Sequence, residues 1–530
     1  MKGKNVFEIT ALRLRVETPV HIGSRHGFLN ALEFIRHEGR IFVLDEEKMG
    51  NFLLKKNLLE RFCQAAYSDE LRRKGIYGFL RDYCGRINIK NIEDLAAYSV
   101  PGGGYGMGQF RPFVRDGRNR IFLPGSSIKG ALRTAVLYRC LKRAGVNKWM
   151  EKVRHWIEEL EATSPNRRFN KSTRLSESMQ KDLLQHCVLE NLRDQKGKHQ
   201  NRDLLRCLKV RDAYPVEDGK LETRVIPVYF LARNGEGLFY RSKNPQSRDD
   251  LIVWVEAVVE GTFETELLWD LELFERFRRA NSDGQFPVES PEDVLKCVVE
   301  MNRDVMEEER KFFESPSGDG RKWALGLKNW YEKSLKGSWL RVGYGAGMLS
   351  TTVNLLWPHE SLRQKVRNVC GHNRGKDPAP KTRRVWPEND NTVKPLGWAR
   401  LFYRKGEEDS WQPVGVEVTA TESKPPVADG TERIATGGPT GSAFSGKGMP
   451  VAMYPSSAAK PVEKGQEREG TLHMKDKEWF ARFEGDARDA VIENPQLIPS
   501  GTEEGTKAIF YIVYQSKKKG IKARILKVLS

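Results

Sequence analysis

The chain has 530 residues and a mass of 60.7 kDa, with 89 Lys and Arg against 71 Asp and Glu, a net charge of +18. That excess favours a polyanionic partner, nucleic acid or an anionic membrane face, and the length allows about two to four domains. No run of eighteen apolar residues occurs and Met1-Lys2-Gly3-Lys4-Asn5 opens no signal-peptide core, so a soluble, cytoplasmic protein without membrane contact is expected.

In chain order, Leu14-Arg15-Val16-Glu17-Thr18-Pro19-Val20-His21-Ile22-Gly23-Ser24 reads as a strand followed by a tight turn, and Phe34 to Leu44 as a hairpin about Glu38-Gly39. Phe52, Leu53, Leu54, Leu58, Leu59 and Phe62 recur at helical intervals, so 46–98 is expected to be mostly α. A glycine-rich basic loop follows over 101–120, with Arg111, Arg115, Arg118 and Arg120. Such a loop can bend along a phosphate backbone.

Ile121-Phe122-Leu123 then ends a strand, Pro124-Gly125 turns the chain, and Ser126 or Ser127 is placed to cap a helix from about Ile128 to Ala144. The free N–H groups of a helix start attract anions, and Lys129 and Arg133 share its face, which suits a phosphate. An ordinary capped helix with solvated charges uses the same residues. Residues 145–205 read as charged, interrupted helix. Leu208 to Ala213 is a short strand carrying Asp212, and Leu251 to Leu267 a long one. Amphipathic helices are expected at 269–281 and 290–336.

Arg341-Val342-Gly343-Tyr344-Gly345-Ala346-Gly347 forms a glycine loop, and Pro395 to Leu401 a closing strand. A Rossmann site would want a further glycine where Met348 stands. The glycines suit backbone amides approaching phosphate, with Tyr344 able to stack on a base; a tight turn with Tyr344 in the core is the competing explanation. The basic runs Arg167-Arg168, Lys196-Gly197-Lys198, Arg374-Gly375-Lys376 and Lys381 to Arg384 fit solvated faces as well as phosphate contacts. Residues 416–470, rich in Gly, Pro, Ser, Lys and Glu, read as a linker or mobile loop. Beyond them, Ala508 to Tyr514 and Ile521 to Val528 form a hairpin tipped by Lys517-Lys518-Lys519-Gly520, either in a small β extension or added to the main sheet.

Seven cysteines, none in C-x-x-C form, are expected as reduced thiols, and no His or Cys pairing has zinc spacing. No metal and no cofactor are expected.

Four segments together, the T-P-V-H-I-G turn at 18–23, PGSSIKGALR at 124–133, the glycine loop at 343–347 and the P-L-G-W strand at 395–398, resemble the RAMP superfamily of CRISPR-associated RNA-binding proteins over about 8–405. The resemblance implies an α+β fold with a ferredoxin-like, RRM-like core, here a region 1–415 enlarged by helical insertions at 46–98, 145–205 and 269–336; the β-rich basic segment expected at 471–530 lies outside it. It is closest to the subunit that caps the 3′ end of crRNA in type III-A effector complexes. Its implied partners are crRNA, target RNA and the other subunits, above all the adjacent backbone RAMP subunit. The implied RNA-contacting residues are His21, Gly23, Ser24, Arg25, Arg111, Arg115, Ser126, Ser127, Lys129, Arg133, Gly343, Tyr344, Gly345 and Gly347.

No catalytic residue is expected: cleaving relatives carry an Asp in the loop after the first motif, whereas Gly23 to Glu33 holds none here, and Asn30 cannot replace a carboxylate. The alternatives are a RAMP endoribonuclease that processes crRNA with His21 as general base, and a RAMP subunit of a type III-B complex.

Overall fold

The computed structural model describes residues 6–415 and 467–528, apart from 26, 69, 86–87, 105, 185–202, 218, 244–249, 281–285, 358–359, 371–378, 390, 407–409, 476–477, 484–488, 493–497, 500–501 and 517–519. The expected linker at 416–470 and the lysine tip at 517–519 therefore fall largely outside the described residues. The chain divides into two compact units between Glu422 and Ser423.

The first unit begins with β1 (Phe7–Val16), whose Leu12, Leu14 and Val16 alternate into the core. β2 (Phe34–His37) and β3 (Arg40–Leu44) form the expected hairpin, turned by Glu38 and Gly39, both at positive φ as a two-residue loop demands. Helices α1 (Glu46–Lys55), α2 (Leu59–Tyr67), α3 (Glu70–Cys84) and α4 (Ile89–Leu95) follow. The helical insertion stops short of 98. Ala96–Pro101 is a strand, β4, which completes a small sheet with β2 and β3 and seals a separate cluster around Phe42, Phe79 and Leu80.

Helix α5 (Gly125–Arg143) buries Ile128, Leu132, Ala135, Val136 and Tyr138 against α9 (Pro291–Phe312) and the main sheet. Between them come α6 (Val146–Glu161), α7 (Pro165–Leu184), β5 (Leu208–Val210), β6 (Glu222–Arg233), β7 (Ile252–Asp270) and α8 (Leu271–Ala280). The helix expected from 269 starts two residues later, because Trp269 is buried as the last core residue of β7. The helix expected over 290–336 is two: α9, and after the turn at Gly318 and Gly320, α10 (Arg321–Ser334).

β8 (Trp339–Arg341), β9 (Thr382–Pro387), β10 (Val393–Pro395) and β11 (Trp398–Lys405) complete the sheet. Its path is β8-β11-β1-β7-β6-β9-β10, with β5 beside β7. The order β11-β1-β7-β5, all antiparallel, with α5 and α9 as the two crossovers, is the ferredoxin-like arrangement. β7 is long enough, at 19 residues, to serve two half-sheets. Its C-terminal half pairs with β1 and its N-terminal half with β6, across a register shift between Val258 and Glu260. The closing segment does the same, for Gly397 at φ 88° turns the chain from β10 in one half-sheet to β11 in the other.

The second unit is a closed barrel of β12 (Glu467–Lys475), β13 (Glu478–Arg482), β14 (Ala490–Ile492), β15 (Lys507–Ser516) and β16 (Gly520–Val528), in the order β12-β13-β14-β16-β15. β14 and β16 run parallel and the other pairs antiparallel, the topology of a five-stranded Greek-key OB barrel. The C-terminal hairpin is thus part of a barrel closed on itself around Leu472, Ala481, Phe483 and Phe510.

Candidate nucleic-acid interface

Three of the four sequence motifs meet at one place on the first unit. The backbone N–H of Tyr344 donates to the His21 carbonyl at 2.7 Å, and that of Gly397 to the Pro19 carbonyl at 2.8 Å. The Trp398 N–H donates to the Thr18 hydroxyl at 2.9 Å. Gly343, at φ 79°, lies so close that a Cβ there would collide with the His21 carbonyl. The turn at 18–23, the glycine loop and the closing segment therefore require one another.

Tyr344 is half-buried on this junction, with two guanidiniums close to its ring. The Arg384 guanidinium, from β9, lies 4.4 Å from its ring centroid, and that of Arg111 lies 5.3 Å from it. Arg111 also covers Phe28 at 4.5 Å, and Arg384 covers Phe230 at 5.4 Å. Nε of each has no hydrogen-bond partner, and neither forms an ion pair among the described residues. Two half-buried guanidiniums held against aromatic rings, with no carboxylate engaging them among the described residues, are suited to phosphate oxygens. Sequence reasoning found Arg111 and Tyr344 but treated Arg384 only as one of a basic run. The signal available was alternation in β9: Arg383 points inward and Arg384 to the opposite face.

Beneath the loop sits a buried ion triad that sequence reasoning missed. Glu309 of α9 accepts from Arg341 at 3.4 Å and from Arg383 at 2.5 Å, and all three are buried. Arg341 also donates to the carbonyls of Gly345 and Leu396, each at 3.2 Å, so it ties the glycine loop to the closing segment. These are positioning residues for Tyr344.

His21 requires a correction as an RNA contact. It is 2% exposed, its Nδ1 lies 2.6 Å from the Glu256 carbonyl, and it packs edge-on against Phe113 and Tyr344. Burial, with Arg111 adding to it, lowers its pKa to about 4 despite the Glu256 carbonyl, so the ring is neutral at pH 7. A general base must reach the 2′-hydroxyl it deprotonates, and this ring is enclosed. It props the Tyr344 loop instead. Gly23 and Arg25 are exposed beside it, and Ser24 is half-buried with its hydroxyl unpartnered.

Arg115 needs a correction too. Its guanidinium pairs with the fully buried Glu256 carboxylate and donates to the Asn119 carbonyl at 2.9 Å. Glu256 also accepts from the Phe113 N–H at 2.9 Å, so Arg115 serves to neutralise a buried acid rather than reaching outward.

The PGSSIKGALR segment is not the open anion site its sequence suggested. The helix starts at Gly125 with Pro124 in the cap position, so neither Ser126 nor Ser127 caps it. Asp212 does that work from the strand end, accepting the Gly125 N–H at 2.7 Å. A side chain on Gly125 would strike the Val210 and Arg211 carbonyls, which is why glycine stands there. Lys129 donates to the Leu208 carbonyl at 2.6 Å and Arg133 pairs with Asp203 at 2.5 Å. Burial lowers the Lys129 pKa. The segment locks α5 to β5; Ser126 is exposed and Ser127 half-buried in its first turn.

No helix among the described residues is long and apolar enough to cross a membrane, and none of their His, Cys, Asp and Glu side chains cluster as a metal site.

Comparison with known proteins bears on the whole arrangement. A family model for the RAMP superfamily matches residues 13–347. The protein called "CRISPR system Cms protein Csm5" from Enterococcus italicus is 31% identical over 153 residues, 25% of this chain and 43% of its own length. Its namesake from Methanocaldococcus jannaschii is 22% identical over 313 residues, 53% of this chain and 63% of its own. The chain thus matches about two fifths to three fifths of these relatives. Among solved structures, a chain of the cryo-EM Csm-crRNA-target RNA ternary complex of a type III-A system covers 74% of this chain and all of its own, at 23% identity and a TM-score of 0.49. The crystal structure of T. onnurineus Csm5 covers 73% of this chain and 99% of its own, at 24% identity and a TM-score of 0.46. With the family match running through three of its four motif segments, from residue 13 to 347, the chain belongs to the RAMP superfamily.

Proposed function

We propose that this protein is a non-cleaving RNA-binding subunit of a type III-A CRISPR complex, which holds crRNA near its 3′ end and contacts the crRNA–target duplex. The observation that carries this reading is Tyr344 close to the guanidiniums of Arg111 and Arg384, neither of which is ion-paired among the described residues, on a loop whose backbone is pinned from below. That arrangement brings an aromatic ring and two phosphate donors together, in a chain of net charge +18. Curated relatives named Csm5 support the choice of complex. The enclosed His21 argues for binding without cleavage, since it removes the residue an endoribonuclease reading needs. The helical insertions around α1–α4 and α6–α7 supply surface for an adjacent backbone subunit.

Reconstitution with the other complex subunits and a labelled crRNA tests the reading. The wild-type chain should enter the particle and shield the crRNA 3′ end from exonuclease, with crRNA precursor and target RNA left uncut by the isolated chain, with or without divalent metal. The double variant Arg111→Ala, Arg384→Ala should leave 3′ ends exposed. Shielding that is independent of both arginines, or cleavage by the isolated chain that His21→Ala abolishes, would overturn it.

A further inference from the structure

The C-terminal barrel has no part in the site above, yet its surface chemistry is strongly asymmetric. Residues 467–504 carry ten Asp and Glu against five Lys and Arg, whereas 507–530 carry seven Lys and Arg and no acid. The whole cationic excess of the barrel therefore belongs to β15, β16 and their connection. This is not an edge shielded by positive charge against aggregation, because β16 is paired on both sides, to β15 and to β14.

The register locates what faces outward among those charges. Ala523, Ile525, Ala508 and Phe510 fill the interior, so their neighbours lie on the outer surface. Tyr511 is 40% exposed and sits directly opposite the exposed Arg524. One step along, the half-buried Phe480 of β13 stands opposite Val491 of β14, and Val491 opposite Lys522 of β16. Val491 and Leu526 are exposed by 47% and 48%. Beside Phe480, Arg482 is paired with Asp489 at 2.9 Å at the edge of the same face. Tyr511, Val491 and Leu526 thus lie uncovered on one outer face with Arg524 among them, while Glu467 of β12 stands opposite Tyr511 on its other side, and a cluster of uncovered apolar groups is costly to display in water without a use. Bases have faces to stack and phosphates to pair at the spacing of a strand, so the combination suits an unpaired polynucleotide.

We propose that this outer face, running over β14, β16 and β15, is a second binding surface whose ligand is single-stranded nucleic acid, with Tyr511 stacking on a base and Arg524 meeting the adjoining phosphate. The inference does not depend on the proposed role of the Tyr344 site. A chain with both surfaces has two separate places at which nucleic acid can bind.

Photo-cross-linking with the full chain separates the two. Single-stranded 12-mers of RNA bearing 4-thiouridine, and of DNA bearing 4-thiothymidine, are irradiated with the protein, and cross-linked peptides are identified by mass spectrometry. Peptides from 507–530 should appear, and their yield should fall roughly tenfold in Tyr511→Ala, Arg524→Glu. Cross-links at 343–347 should be unchanged in that variant. Tyr511→Phe keeps a ring and should keep the yield, which distinguishes stacking from a damaged barrel. Arg384→Ala should do the reverse, lowering cross-links at 343–347 alone. Barrel cross-links to either polymer support the surface. Their absence with both polymers, or a yield indifferent to Tyr511→Ala, Arg524→Glu, overturns it whatever happens at Tyr344.

Discussion

The rings of Tyr344 and His21 meet edge to face at 5.8 Å, while the Tyr344 N–H donates to the His21 carbonyl at 2.7 Å. A residue 323 positions earlier in the chain thus sets where the exposed edge of Tyr344 points. The first prediction concerns what happens when His21 is charged. Its pKa is lowered from 6.5 to about 4 in the fold, so the unfolded chain takes up the proton first as pH falls. The neutral ring's contribution is intact above pH 6.5 and is lost between 6.5 and 4, by roughly 3 kcal/mol in all. Urea unfolding across that range should show the loss in wild type, and His21→Gln should lack that component of the slope.

The glycine loop offers a paired test. Gly343 and Gly347 both have positive φ, but a Cβ at Gly343 would also strike the His21 carbonyl, whereas one at Gly347 meets open space. Gly347→Ala should cost about 1 kcal/mol for conformation alone. Gly343→Ala should cost clearly more and should weaken RNA binding as well, because Tyr344 must shift. Equal costs in thermal unfolding would mean that the loop does not lean on the His21 turn.

Cations at the Tyr344 loop and at the start of α5 should behave oppositely. Arg111→Ala and Arg384→Ala should each weaken single-stranded RNA binding by about 1.5 to 3 kcal/mol and make the log–log salt slope shallower by about 0.7, with folding intact. Lys129→Ala leaves the Leu208 carbonyl without its donor. It should lower stability by about 1 to 3 kcal/mol and leave the salt slope alone. Fluorescence anisotropy titrations at several salt concentrations, beside melting curves, check both.

Glu309→Ala strands two buried guanidiniums, Arg341 and Arg383, that no other carboxylate meets among the described residues. Breaking one side of a buried pair costs about 3 to 5 kcal/mol. The variant should lose that much in denaturant unfolding, and Glu309→Gln most of it, since an amide cannot neutralise either cation.

Asp212→Ala removes the acceptor at the start of α5. A lost cap of this kind costs about 0.5 to 2 kcal/mol. Ser126→Ala and Ser127→Ala, which remove no cap, should be close to neutral in the same melt.

By itself the sequence determined many of the elements and the resemblance to the family. Alternation in Leu12, Leu14 and Val16 made β1 a strand with one face buried, Glu38-Gly39 could only be a two-residue turn, and the basic excess pointed to a polyanion. Local chemistry decides these, so a local reading reaches them. It also located the four motifs, and the family resemblance they carry implied a ferredoxin-like core.

Which of those residues are left free to face a ligand was decided by tertiary structure alone. A lysine and an arginine at a helix start look alike whether they meet phosphate or their own chain. Here Leu208 and Asp203, some seventy to eighty positions away, engage them, and Asp212 occupies the anion site at the helix start. His21 reads as a candidate base until Glu256, Phe113 and Tyr344 enclose it. Arg384 gains its role only because β9 pairs with β6 in register and sets it beside the ring of a loop forty residues earlier. The hairpin at 507–528 became a barrel because β16 found β14, a parallel pairing that neither strand's own pattern announces. Burial and pairing across such separations depend on which surfaces the folded chain brings together, and no window of sequence contains both partners.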